Sequence, residues 1–332
     1  MMNKQNHTPI TGTESYDLRL NLRDPPDTSQ TPTWSGMTVE SGGDSISFQD
    51  NQSTSTATPT SYITQKHLAD LKRRLSERDK NILTSLRKYR FLLTGQIQRL
   101  YFIEKPTKRT NTIITNHALR KLREYGLIAQ LERRVGGVRA GSSSLIWHLT
   151  SPGYRLLSID SPDPKSRKRF EEPSQLFLEH TLAIAETAVQ LSGISRTVNK
   201  LSLERLDPEP SCWRIFKSNG RTIYLKPDLF AITTYESYED SWFIEMDLGS
   251  ESPTQVVEKC KTYLHYYNTG IEQRENEVFP LVVWIVKDSK RKERLRQYIR
   301  ESLSKAPKMF IVITPDQLGK TISQDIDREE IC

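Results

Sequence analysis

Residues 226–261 read KPDLFAITTYESYEDSWFIEMDLGSESPTQVVEKCK. Two β-prone runs, 229–234 and 242–247, flank a polar turn, and Gly249 then bends the chain into a helix that starts near Pro253. Strand side chains alternate between faces, so Glu245 and Asp247, two residues apart, share one. Asp228 stands at the head of the first run. If the two strands pair, three carboxylates are expected to converge. Buried carboxylates repel one another and are costly to desolvate. A divalent cation is the usual remedy, and hard oxygen ligands suit Mg²⁺. Asp228, Glu245 and Asp247 are therefore the candidate metal ligands. The alternative for the same spacing is an amphipathic hairpin whose acids face solvent.

The order Pro-Asp, then Glu-x-Asp, resembles the PD-(D/E)xK nuclease core. That core ends in a lysine two residues after its second acid, where this chain has Asp247. The resemblance implies a catalytic set of Asp228, Glu245 and Asp247, with Lys259 or Lys261 on the following helix supplying the displaced cation.

Working outward, Ser174 is placed to cap an amphipathic helix with Leu178, Leu182, Ala185 and Val189 inward. Glu179 and His180 lie early on it. Glu179 is a weak candidate for a fourth ligand, and His180 suits a structural role as well as a catalytic one. VNKLSLERL and CWRIFKS read as strands, and Asn219-Gly220 is a hairpin turn leading into RTIYLKPDLFAITT. FPLVVWIV reads as a strand buried on both faces. A basic amphipathic helix and the strand MFIVIT follow. The order α-β-β-β-α-β-α-β over 174–332 predicts a restriction-endonuclease-like α/β sandwich with a mixed sheet.

Charge separates the chain into three parts. Residues 64–174 carry 24 basic against 10 acidic residues, a net +14, whereas 1–63 and 175–332 carry −4 and −3. A focused basic field suits a polyanion partner, most often nucleic acid. Within this part the apolar period is helical: Leu68, Leu71 and Leu75, then a helix capped by Ser76 with Asp79 at the capping-box position. A short helix opens at Thr94. A third starts around Thr110, with Ile113, Ile114, Ala118, Leu119 and Leu122 as its apolar stripe, and Gly126 ends it. LIAQLERRV and SLIWHLT flank a Gly-rich basic turn and read as a hairpin.

Helices followed by a hairpin give the winged helix-turn-helix order, expected over 64–158, with a linker at 159–173. Its third helix would enter the major groove of double-stranded DNA. Lys108, Arg109, Thr110, Asn111, Thr112 and Asn116 lie where base edges are reached, and Arg133, Arg134 and Arg139 on the wing would meet phosphates. The alternative for such a module is protein docking.

Residues 1–63 are rich in Ser, Thr, Pro, Asp and Gln, and are expected to be a disordered tail. A mean hydropathy of −0.61 agrees with a partly unfolded chain. Cys212, Cys260 and Cys332 have no metal-ligand spacing. No apolar run approaches the ~18 residues of a membrane helix. MMNKQNHTPITG lacks the apolar core of a secretory signal, so a cytoplasmic protein is expected.

Three stretches together resemble the replication-relaxation family of plasmid and mobile-element proteins. They are RDKNILTSLRKYRFLLTGQIQRLYF leading to WHLTSPGYRLL, FLEHTLAIAE, and KPDLFAI with FIEMDLGSESPTQVVEKCKTYLHYY. Asp228, Glu245, Asp247, Lys259 and His180 match that pattern. Where the family often has Arg, this chain has Leu248. The resemblance implies a DNA-binding role in plasmid replication and DNA relaxation; it does not establish nuclease activity, and Mg²⁺-dependent nicking by the nuclease-like domain is the reading that the PD-(D/E)xK-like acids add. The alternative is a non-catalytic accessory factor, or a transcriptional repressor, that recruits a relaxase or replication initiator.

Overall fold

Thr64 and Ser76 each turn a side-chain oxygen onto a backbone N–H, and two helices begin there: α1, Gln65–Arg74, and α2, Glu77–Tyr89. Asp79 in turn accepts from the Ser76 N–H at 3.1 Å, completing the expected capping box. The computed structural model describes residues 64–103, 107–132, 145–159, 171–305 and 308–323. The 1–63 tail, the wing arginines Arg133, Arg134 and Arg139, and the linker over 160–170 lie outside the described residues.

After α2 come β1 (Phe91–Leu93), α3 (Thr94–Tyr101) and α4 (Lys108–Glu124). α4 starts two residues before Thr110, because Thr107 caps it by accepting from the Thr110 N–H at 3.1 Å. β2 (Ile128–Gln130) and β3 (Ile146–Leu149) pair antiparallel as the hairpin reading expects, and β1 adds to the other edge of β3. α5, Ser151–Leu157, follows a Thr150 cap. Gly153 is required where α5 crosses the start of β2: a Cβ there would lie 2.1 Å from the Leu127 carbonyl oxygen.

The second half is an α/β layer structure. α6, Gln175–Thr197, precedes β4 (Leu201–Pro208), the β5–β6 ribbon (Arg214–Ser218 and Arg221–Leu225), β7 (Leu229–Tyr235) and β8 (Tyr238–Asp247). Then come α7 (Pro253–Thr269), α8 (Ile271–Asn276), β9 (Leu281–Val286), α9 (Ser289–Ser302), β10 (Phe310–Ile313) and α10 (Leu318–Ser323). The five-stranded sheet has the order β10-β9-β8-β7-β4. β8, β9 and β10 are parallel, while β8-β7 and β7-β4 are antiparallel, so the sheet is mixed. β9 lies inside the sheet, and its apolar run is buried as expected.

The stretch RTIYLKPDLFAITT does not form one strand. Pro227 has no N–H to give a ladder, and the chain divides there between β6 in the ribbon and β7 in the main sheet.

Alternation along β8 decides what each face does. Trp242 and Ile244 lie in the core beneath α6, beside Ile184, Ala185 and Ala188. Phe243 points the other way, onto α7 and α9, with Val257, Cys260, Tyr263 and Leu295. Glu245 and Asp247 share the Phe243 parity.

The core beneath α6 runs on into the helical half, through Leu86, Ile97 and Leu119. Polar ties reinforce it: Gln96 Nε2 donates to the Leu182 carbonyl at 3.1 Å, and the Arg99 guanidinium grips Glu186 on α6. From Thr64 on, the described residues thus belong to one compact unit.

Candidate functional site

Asp228 is fixed by the sheet itself. Its N–H donates to the Ile244 carbonyl at 3.1 Å, and its Oδ2 accepts from the Met246 N–H at 2.7 Å. The other oxygen lies 3.1 Å from Nε2 of His180, one turn into α6. Leu229 pairs with Ile244, so Asp228 stands level with Glu245. Glu245 is fully buried. Lys259 Nζ donates to its Oε2 at 2.6 Å, and the Tyr263 hydroxyl donates to its Oε1 at 2.5 Å. Lys259 and Tyr263 are four residues apart, on one face of α7.

Burial pushes Glu245 up to about 8, and the nearby Asp228 charge adds to the rise against the opposing pull of Lys259. Burial alone would lower the Lys259 ammonium, but Glu245 and Asp228 outweigh it and hold it above its ordinary value. The bond to Asp228 raises His180. Burial and the Glu245 charge raise Tyr263, which keeps its proton. Cys212 sits beside the group, but burial pushes its thiol up to about 12, and it donates to the Pro227 carbonyl at 2.9 Å. It is therefore no nucleophile at neutral pH.

The group is reached past His180 and Lys259, whose side chains are 34% and 29% exposed. It can bind an anion with Lys259 and a protonated His180. It can also move a proton at the His180 Nε2.

Asp247 does not join this group. A strand advances ~3.3 Å per residue, which carries Asp247 about 7 Å beyond Glu245 on the same face. There Arg291 Nε on α9 donates to its Oδ2 at 2.6 Å and the Gly249 N–H donates to its Oδ1 at 2.8 Å. Arg291 also reaches the Glu251 carbonyl at 2.6 Å. The expected convergence of three carboxylates is thus a convergence of two, with the third held in a buried clasp. Among the described residues no three His, Cys, Asp or Glu side chains form a group able to hold a metal. Lys261 lies apart, paired with Glu258 at the surface, and Glu179 is exposed and bonded to Gln175.

Two partners of the predicted acids, Tyr263 on Glu245 and Arg291 on Asp247, were not among the candidates. Tyr263 was legible, since it repeats the Lys259 face one turn on. Arg291 was not, because it stands in a helix with many other basic residues.

The family model described as replication-relaxation matches residues 83–282, more than half of the 332-residue chain. The chain belongs to the replication-relaxation family. His180, Asp228, Glu245, Lys259 and Tyr263 all fall within the matched span, and Arg291 falls outside it. Comparison with the curated proteins and with the solved structures finds no match.

The second candidate surface of this replication-relaxation protein is α4. Lys108, Arg109, Ile113, His117, Arg120 and Arg123 are exposed along it. Thr115, Leu119 and Leu122 are buried on the opposite side. Ile113 is 60% exposed and leaves the apolar stripe expected for it, because it lies about 240° around the helix from Leu119. Thr110 and Thr112 are partly occupied by the helix itself: the Thr110 hydroxyl bonds Thr107, and the Thr112 hydroxyl donates to the Lys108 carbonyl. Asn111 and Asn116 are half-buried.

No described helix is long and apolar enough to cross a membrane.

Proposed function

We propose that this replication-relaxation protein binds double-stranded DNA through α4, as the third helix of a winged helix-turn-helix, during replication of a plasmid or mobile element. The exposed basic face of α4 carries the reading. Lys108 and Arg109 open the helix, with no acid in its first turn, and Arg120 and Arg123 continue the face. The helix N-terminus adds its own positive end. Ile113 stands exposed amid these cations, where an apolar side chain suits a thymine methyl group. Binding should fall steeply with salt as phosphate contacts release counterions. Titration of full-length protein with duplex oligonucleotides at several salt concentrations tests this; flat salt dependence would point to protein docking.

A second reading, metal-dependent nicking, is favoured by the pairing of Asp228 with Glu245 beside Lys259. Mg²⁺ is commonly held by one or two carboxylates together with substrate phosphates, so Asp228 and Glu245 are a sufficient donor set once Lys259 leaves Oε2. Such an ion would lower the pKa of bound water and neutralise phosphate charge. Lys259 would then face the phosphate, and His180 would hold Asp228 in position. Asp247 has no part in this version. Conversion of supercoiled plasmid to open circle, abolished in Asp228→Asn, is the test. Intact plasmid with Mg²⁺ and with Mn²⁺ would refute the nicking reading.

A further inference from the structure

The β5–β6 ribbon belongs to neither surface described above. Its inner residues, Phe216 and Leu225, are buried against α7, with the Phe216 ring 5.3 Å from His265 and 5.2 Å from Tyr266. His265 Nε2 also bonds Ser218 Oγ at 2.7 Å, so the ribbon is fastened down its length. Its outer face is open. Ile215 and Tyr224 are cross-strand partners, 63% and 53% exposed. Lys217 lies one two-residue step beyond Ile215, and Lys226 one step beyond Tyr224, about 7 Å along the strand in each case.

Lys226 Nζ is 5.7 Å from the Tyr224 ring centre and 4.7 Å from that of Trp213. Neither Lys217 nor Lys226 has a carboxylate partner among the described residues. Residues 211–226 contain no acid. The ribbon also rises from the edge of the Asp228 centre, since Pro227 and Asp228 follow Lys226 directly.

We propose that this outer face binds single-stranded DNA, with an unpaired base stacked on Tyr224 and the flanking phosphates on Lys217 and Lys226. Duplex DNA would offer the lysines phosphates but would leave the ring face and Ile215 without a partner, because paired bases cover their π-faces. An unpaired strand supplies both, and stacking tolerates any base. The proposal rests on the DNA-binding reading above but uses different residues. It gives the protein a grip on the strand that opening of a duplex would release.

The test is fluorescence anisotropy of the full-length chain with a labelled oligothymidylate of about 20 nucleotides, long enough to cover one site. Tyr224→Ala should weaken binding about tenfold, Tyr224→Phe should bind as the wild type does, and Lys217→Ala/Lys226→Ala should flatten the salt dependence. Duplex affinity should stay within about twofold in all three, because α4 is untouched. Absence of oligothymidylate binding, or wild-type affinity in Tyr224→Ala with an unchanged melting temperature, overturns the proposal. So does self-association that Tyr224→Ala abolishes while strand binding persists, which would make a second copy the occupant. Ribbon-dependent strand binding without duplex binding would refute the α4 reading and leave this one standing.

Discussion

Lys259 Nζ lies 2.6 Å from Glu245 Oε2, and this bond joins α7 to the floor of the central sheet. Glu245 has no exposed surface, so its charge depends on that ammonium. Above about pH 8, where Glu245 is ionised, Lys259→Met should lower stability by about 3 kcal/mol, the low end for a broken buried pair, because Lys259 keeps 29% of its side chain exposed; at lower pH, where Glu245 holds its proton, the loss should be smaller. The double variant Glu245→Gln/Lys259→Met should recover most of that stability. Urea unfolding of the single and double variants measures both.

The same carboxyl group sets a pH dependence. Its folded pKa is raised to about 8, above the ordinary carboxylate value of 4.5. The fold therefore favours the protonated form. That contribution is complete below pH 4.5 and is lost as pH rises through about 8. Melting temperature should fall across this window, and Glu245→Gln should make the fall shallower. An equal slope in the variant would mean that Glu245 is ionised throughout.

His180 should titrate above 6.5, because Asp228 accepts from it at 3.1 Å. The stability it contributes is full below 6.5 and fades as pH rises through its folded value. Asp228→Asn should bring the titration, followed by NMR of the imidazole protons, back down. An unmoved midpoint would separate His180 from Asp228.

Arg291 and Asp247 form a second buried pair, 10% and 0% exposed. Arg291→Met strands the carboxylate and should cost about 3–5 kcal/mol. Arg291→Lys should not restore it, because one ammonium cannot reproduce the fork that serves both Asp247 and the Glu251 carbonyl. Thermal unfolding of both variants checks this, with duplex binding retained by whichever remains folded.

Gly153→Ala should destabilise by about 3 kcal/mol, since the new methyl group meets a backbone oxygen that cannot move aside. Ala at Gly193, whose Cβ position is open, is the control and should melt as the wild type does or slightly higher.

The parts legible in the sequence were those governed by local rules. The capping box at Ser76 and Asp79, the buried run of β9, and the shared face of Glu245 and Asp247 all follow from spacing. What escaped was decided by distant neighbours. β1 is three residues long and exists because β3 offers it an edge. Asp247 lies on the face predicted for it, yet its partner is a residue 44 positions away. Ile113 is the exception: its angle around α4, a local rule, already turns it from the apolar stripe to solvent.

The central claim is that α4 grips duplex DNA, and the salt slope of binding addresses it most directly. For the wild-type chain, log Kobs against log salt should be steep. In Lys108→Ala/Arg109→Ala/Arg120→Ala it should be shallower by about 2–3, near one for each phosphate that no longer meets a cation. An identical slope in the triple variant, with the fold intact, would contradict the account.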